Sequence, residues 1–109
     1  MIASVDSASA LVGRSFDCAF GDFVPRLTVL SSTELRVQAQ HGETKIDEVV
    51  KSDITDIRPG LFILNWTERN GNFVVQVQDH GNGVVHNYAR LADGALFCAQ
   101  GVLSPAVPV

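Results

Sequence analysis

The sequence predicts an all-β domain, an antiparallel meander of about eight or nine strands closed into a barrel. Three observations carry this. Runs of six to eight residues rich in Val, Phe, Leu, Ile and Thr recur along the chain, turn-forming residues separate them at short intervals, and helix signals are nearly absent. A row of short strands joined by hairpins leaves two open edges, and closing the row on itself removes both. A two-sheet sandwich is the alternative.

Residues 1–12 are rich in Ser and Ala and form an N-terminal segment, either a frayed turn or one short helix. Strands are expected over 14–20, 23–30, 33–40, 44–51, 54–58, 61–68, 72–79, 84–90 and 95–102, so that the barrel spans 13–102. Gly21-Asp22 and Ser31-Ser32 mark the first reversals, and Arg58-Pro59-Gly60 a tight turn in which Pro fixes one φ and Gly accepts a positive one. Asn70-Gly71 predicts a type I′ hairpin; Gly81-Asn82-Gly83 and Asp93-Gly94 predict two more reversals. The tail 103–109, broken by Pro105 and Pro108, is expected outside the sheet.

Alternation indicates which faces are wet. Phe16, Cys18 and Phe20, and again Leu35, Val37 and Ala39, form apolar rows opposite polar ones, as a sheet with one solvated side requires. The strands over 61–68 and 72–79 carry apolar bulk on both faces with isolated polar groups such as Gln76 and Gln78. A sheet curled around a core or cavity accounts for that, and a barrel of about eight strands can hold one small ligand.

With 109 residues, 46% hydrophobic and 18% charged, the chain is one domain that buries roughly two thirds of its unfolded surface without metal or disulfide. A net charge of −4, with six Arg and two Lys scattered rather than clustered, argues against nucleic acid or an anionic membrane as partner. No apolar run approaches a membrane span and residues 1–13 lack the features of a signal peptide, so a soluble, cytoplasmic protein is expected. Cys18 and Cys98 match no zinc or redox spacing and read as two buried free thiols acting as small hydrophobes, with a disulfide the alternative; if the first and last strands pair, they fall on adjacent strands with a parity that allows one face.

At Val12-Gly13-Arg14-Ser15-Phe16, Thr33-Glu34-Leu35-Arg36-Val37, Ile57-Arg58-Pro59-Gly60-Leu61-Phe62 and above all Asn65-Trp66-Thr67-Glu68, the sequence resembles the MoaF-like proteins, small domains related to bacterial phenolic acid decarboxylases. The resemblance spans about Val12 to Val102 and implies a calycin-like (lipocalin-like) barrel, a homodimer, and a central pocket for a small apolar or aromatic molecule. The decarboxylases grip the substrate carboxylate with two tyrosines on the first strand; Cys18 and Phe20 stand at the matching positions, while Arg36 and Glu48 match the Arg and Glu of later strands. Only part of the set is present, and decarboxylation is not carried over.

Several side chains are candidates for chemistry. Arg36 is either a bidentate clamp for an anion inside the barrel or a solvated residue beside Gln38 and Gln40. Trp66 either stacks on a ring-shaped ligand or anchors the core. Glu68 is either a buried acid/base or an exposed turn residue. His86 and Tyr88 share a strand face and form the best acid/base pair, against the alternative of a structural histidine. His41 and His80 fall in turns, Asp47, Glu48, Asp53 and Asp56 are too diffuse for a calcium loop, and neither a metal site nor a cofactor is expected.

Two functions from different classes follow. One is a binding barrel lined by Arg36, Trp66, Gln76, Gln78 and Tyr88; the other is a cofactor-free lyase, isomerase or cyclase using His86, Tyr88, Glu68 or Arg36. Convergence of these groups on one cavity would favour the enzyme, and an apolar cavity would favour binding.

Overall fold

A computed structural model describes residues 7–106, and within them the chain forms one short helix and eight strands. The helix is α1 (Ala8–Leu11). The strands are β1 (Ser15–Ala19), β2 (Arg26–Ser31), β3 (Glu34–His41), β4 (Thr44–Arg58), β5 (Leu61–Thr67), β6 (Phe73–Asp79), β7 (Val84–Arg90) and β8 (Leu96–Pro105). Each pairs antiparallel with the next, and β8 returns to pair with β1, so the meander is a closed barrel rather than a sandwich. Among the described residues no helix is long and apolar enough to cross a membrane.

Strict up-and-down order sorts the loops. Those after β1, β3, β5 and β7 lie at one end of the barrel, while the other three and α1 lie at the opposite end. α1 closes its end: Leu11 is fully buried in the core and the Ala8 N–H donates to Asp56 Oδ1 at 2.8 Å. The core then runs through Phe16, Leu27, Leu35, Phe62, Leu64 and Val85 on the inner face of the sheet.

Several expectations need correction. The segments 44–51 and 54–58 are a single strand, β4: Ser52-Asp53 holds turn-forming residues but neither Gly nor Pro, and the backbone stays extended through them. Its first half pairs with β3 (Lys51 opposite Glu34) and its second with β5 (Ser52 opposite Trp66). The turn after β5 is not type I′, since among the described residues no non-glycine residue has positive φ. Gly71 alone takes the left-handed conformation (φ +95°), the Gly71 N–H donates to Glu68 O at 2.8 Å, and the Glu68 N–H donates to Asn72 O at 2.8 Å. This is the three-residue loop with glycine closing the turn. The β7–β8 loop repeats it with Gly94, and the Ala92 N–H donates to Asn72 Oδ1 at 2.9 Å, tying the two loops together.

The boundary at 102/103 also moves. β8 continues to Pro105, with Leu103 buried opposite Cys18; the Pro105 nitrogen lies on the side away from β1, beyond the last β7 pairing of Val84 with Val102, so no ladder bond is lost there. Residues 1–6 and 107–109, including the rest of the expected tail, lie outside the described residues.

β1 and β8 are adjacent, yet the cysteines do not face one another. Cys18 points inward and is fully buried opposite Leu103, whereas Cys98 is exposed on the outer face opposite Tyr88, about 16 Å further along β8 at ~3.3 Å per residue. Burial pushes the Cys18 thiol up to about 12, against the opposing effect of a weak hydrogen bond to Gln76. A thiol reagent at pH 8 is therefore expected to modify Cys98 rapidly and Cys18 only after denaturation, and mild oxidation should give no Cys18–Cys98 bridge in the folded monomer. Peptide mapping after timed labelling checks both; rapid labelling of Cys18 in the native protein would contradict the placement.

Candidate functional site

Three consecutive strands supply the polar interior. On β5 the inward side chains are Phe62, Leu64 and Trp66, on β6 Val74, Gln76 and Gln78, and on β7 Val85, Asn87 and Ala89. The register stacks them in layers: Phe62, Gln78 and Val85 nearest the closed end, then Leu64, Gln76 and Asn87, then Trp66, Val74 and Ala89.

Above the middle layer the barrel holds a cavity of about 560 Å³ that opens between the loops opposite α1. Its rim is largely aromatic and aliphatic, with Phe20, Phe23, Leu91 and Phe97; Trp66 forms a wall, and Gln76 and Asn87 are its deepest polar groups. Glu68 stands at the rim, where its carboxylate accepts hydrogen bonds from Trp66 Nε1 at 3.1 Å and Asn72 Nδ2 at 3.4 Å. His41 also lines the rim, edge-on to Phe23 with ring centroids 5.9 Å apart. Among the described residues no Lys or Arg lines this cavity.

The amides of the interior are joined end to end. Gln76 Nε2 donates to Asn87 Oδ1 at 2.9 Å, Gln78 Nε2 donates to Gln76 Oε1 at 3.0 Å, and Gln78 Oε1 lies 3.0 Å from His80 Nε2. His80 sits in the loop at the closed end, its ring edge-on to Phe16 (4.6 Å) and Phe62 (5.4 Å). Desolvation in that aromatic setting lowers its pKa; Asp79 opposes the effect and Arg14 adds to it. These bonds let two glutamines lie in a core without unsatisfied groups.

The other expected site residues lie elsewhere. Arg36 does not enter the barrel: Leu35, Val37 and Ala39 occupy the inward positions of β3, so Arg36 faces solvent and pairs with Asp47 through bonds of 2.9 and 2.7 Å. Asp47 is held below the usual carboxylate range chiefly by that hydrogen bond. His86 and Tyr88 do share a face, but it is the outer one, and Tyr88 is 51% exposed. Gln78 is buried beneath Gln76 rather than on the cavity surface, and Glu48 is turned to the β5–β6 loop, accepting the Arg69 N–H at 3.1 and 3.2 Å. Asn87 went unremarked in the sequence although it shares the 85/87/89 row with Val and Ala, the small apolar row of its strand and thus the one suited to an interior. A second concavity, of about 470 Å³, lies on the outer face around the Arg26–Asp17 pair and is lined by charged residues including Lys45 and Asp47.

Comparison with known proteins agrees with this architecture. Among solved structures, the crystal structure of a protein described as a "putative beta-lactamase" from Burkholderia vietnamiensis superposes with a TM-score of 0.81 at 13% identity, covering 88% of this chain and 95% of that one, a likeness of fold alone. Among curated proteins none matches the sequence. The MoaF-like family model matches residues 12–104, nearly the whole barrel, and the chain therefore belongs to the MoaF-like family.

Proposed function

We propose that the barrel binds a small, largely apolar, ring-containing molecule in the cavity at its open end. The observation that carries this reading is the cavity itself: its volume falls in the range of about 300–1,000 Å³ usual for small-molecule sites, and its mostly apolar walls hold a few convergent polar groups. Trp66 would pack against the ligand ring, and Gln76 and Asn87 would meet its polar end. Of the four candidate catalytic residues, Arg36, His86 and Tyr88 face outward and Glu68 is engaged by Trp66 and Asn72, which favours binding over catalysis.

The test uses the neutral dye N-phenyl-1-naphthylamine, which brightens in apolar surroundings. Since Trp66 is the only tryptophan, energy transfer from protein to dye reports proximity to that wall. Dye binding with such transfer is expected, and Ala89→Phe, which fills the cavity beside Trp66, should weaken it about tenfold or more, equivalent to about 1.4 kcal/mol per decade. Dye binding without transfer, or undiminished binding by a folded Ala89→Phe, would count against this cavity.

A further inference from the structure

We infer that the ligand presents an uncharged hydrogen-bond acceptor, a carbonyl-type oxygen, to the side-chain amide of Asn87, an inference that rests on the binding reading above. The chain of interior amides runs in one direction. In each amide link the nitrogen donates toward Asn87 and the oxygen accepts from the His80 side. Gln78 Oε1 can only accept, so His80 must offer Nε2–H to it. Turning one amide over would set like groups against each other, and turning all three together would leave the Cys18 S–H, which donates to Gln76 Oε1, facing an NH2 instead; the orientation shown is the one that satisfies every member.

The consequence appears at the cavity end. Asn87 has its Oδ1 committed to Gln76, and among the described residues nothing accepts from its Nδ2, although the residue is only 8% exposed. Among the described residues every fully buried side-chain nitrogen or oxygen has a partner, so Nδ2 is not fully buried, and the space it can open to is the cavity that Asn87 lines. A fixed NH2 donor at the bottom of an apolar cavity selects for an acceptor, because a ligand without one leaves the donor desolvated and unpaired.

Charge decides which acceptor. A carboxylate would have to leave water for a cavity with no Lys or Arg among its described lining residues, and Glu68 stands at the rim. A ketone, aldehyde, ester or amide oxygen meets Asn87 without that cost. The ligand class is thus a neutral aromatic carbonyl compound rather than an aromatic acid.

Three probes with one ring system separate the possibilities: 2-acetonaphthone carries a neutral acceptor, 2-ethylnaphthalene carries none, and 2-naphthoate is an anion. Binding is read by displacement of N-phenyl-1-naphthylamine. The expected order is acetonaphthone about fivefold tighter than ethylnaphthalene, as one added hydrogen bond gives, with naphthoate weakest. Asn87→Leu should abolish the preference for acetonaphthone over ethylnaphthalene, with ethylnaphthalene binding at least as tightly as before because the donor it leaves unpaired is gone. Should that variant not fold, the Asn87 NH2 resonances of the unaltered protein give the same answer: they shift downfield with acetonaphthone and not with ethylnaphthalene. Equal affinity of the two neutral probes, tighter binding of naphthoate, or unmoved Asn87 resonances would overturn the inference while leaving the cavity a binding site; failure of all three probes would overturn the binding reading with it.

Discussion

Gly101→Val is expected to prevent the barrel from closing. β8 passes so close to the end of β1 that a Cβ on Gly101 would overlap the Ala19 carbonyl oxygen and lie 2.7 Å from Phe20 Cδ1 and 3.0 Å from the Ala19 carbonyl carbon. Gly101 is required by proximity alone, since it is not among the glycines with positive φ. The obstructing atoms are mostly backbone, and moving them would break the pairing of Ala19 with Val102 that seals the sheet. Overpacking a core by a methylene group or two commonly costs about 1–3 kcal/mol when side chains can give way. Here they cannot, so Gly101→Ala should cost at least about 3 kcal/mol, lowering Tm by more than about 10 °C. Gly101→Val should leave no cooperative thermal transition, because the loss approaches the whole stability of a small domain. Circular dichroism melts check both; a Gly101→Ala protein melting within about 3 °C of the parent would mean that the two strands do not approach this closely.

Phe62→Ala should be nearly as damaging, by a different route. The ring is fully buried at the closed end, edge-on to His80 and in the layer beneath Gln76. Truncating such a side chain removes its burial and leaves a hole, together about 3–5 kcal/mol. Urea unfolding should show a lower midpoint with an unchanged slope. The loss should also depend on pH. Burial favours neutral His80, so its stabilising contribution is complete above the unfolded value of 6.5 and is lost as pH falls toward the lowered native pKa. Phe62→Ala relieves part of that burial, and the stability gap between variant and parent should therefore narrow as the pH drops below about 6.5. A loss under about 1 kcal/mol, or a gap that widens on acidification, would contradict the placement of Phe62 and His80.

The strands and their closure were legible because the two signals behind them are local. Alternation such as Phe16/Cys18/Phe20 and punctuation such as Pro59-Gly60 act within a few residues of where they stand. Closure needed only one further step, that a long meander avoids open edges. What the sequence hid was decided by distant partners. Nothing near Ser52 marks where β4 exchanges β3 for β5, because the exchange depends on the slant of the strands around the barrel. The distance between Cys18 and Cys98 has the same origin, since the offset of β8 on β1 brings Leu103, not Cys98, to Cys18.

The site was harder to read than the fold because β6 and β7 do not separate oil from water. On β7 the outer row holds His86 and Tyr88, residues that look functional, while the inner row holds Val85, Asn87 and Ala89. A rule that places chemistry-bearing residues inside selects the wrong row there. On β6 the glutamines alternate with valines on both sides, and their burial is explained only once Asn87 and His80 are found at the two ends of their hydrogen-bonded chain.

A crystal structure of the protein soaked with N-phenyl-1-naphthylamine would show where the barrel takes its ligand. The dye is expected inside the barrel at its open end, a ring against Trp66 and Phe97 above Asn87, with α1 and the closed end unchanged. Dye seated instead on the outer sheet near Tyr88 or in the groove beside Arg26, with the barrel interior filled by protein side chains alone, would contradict that placement.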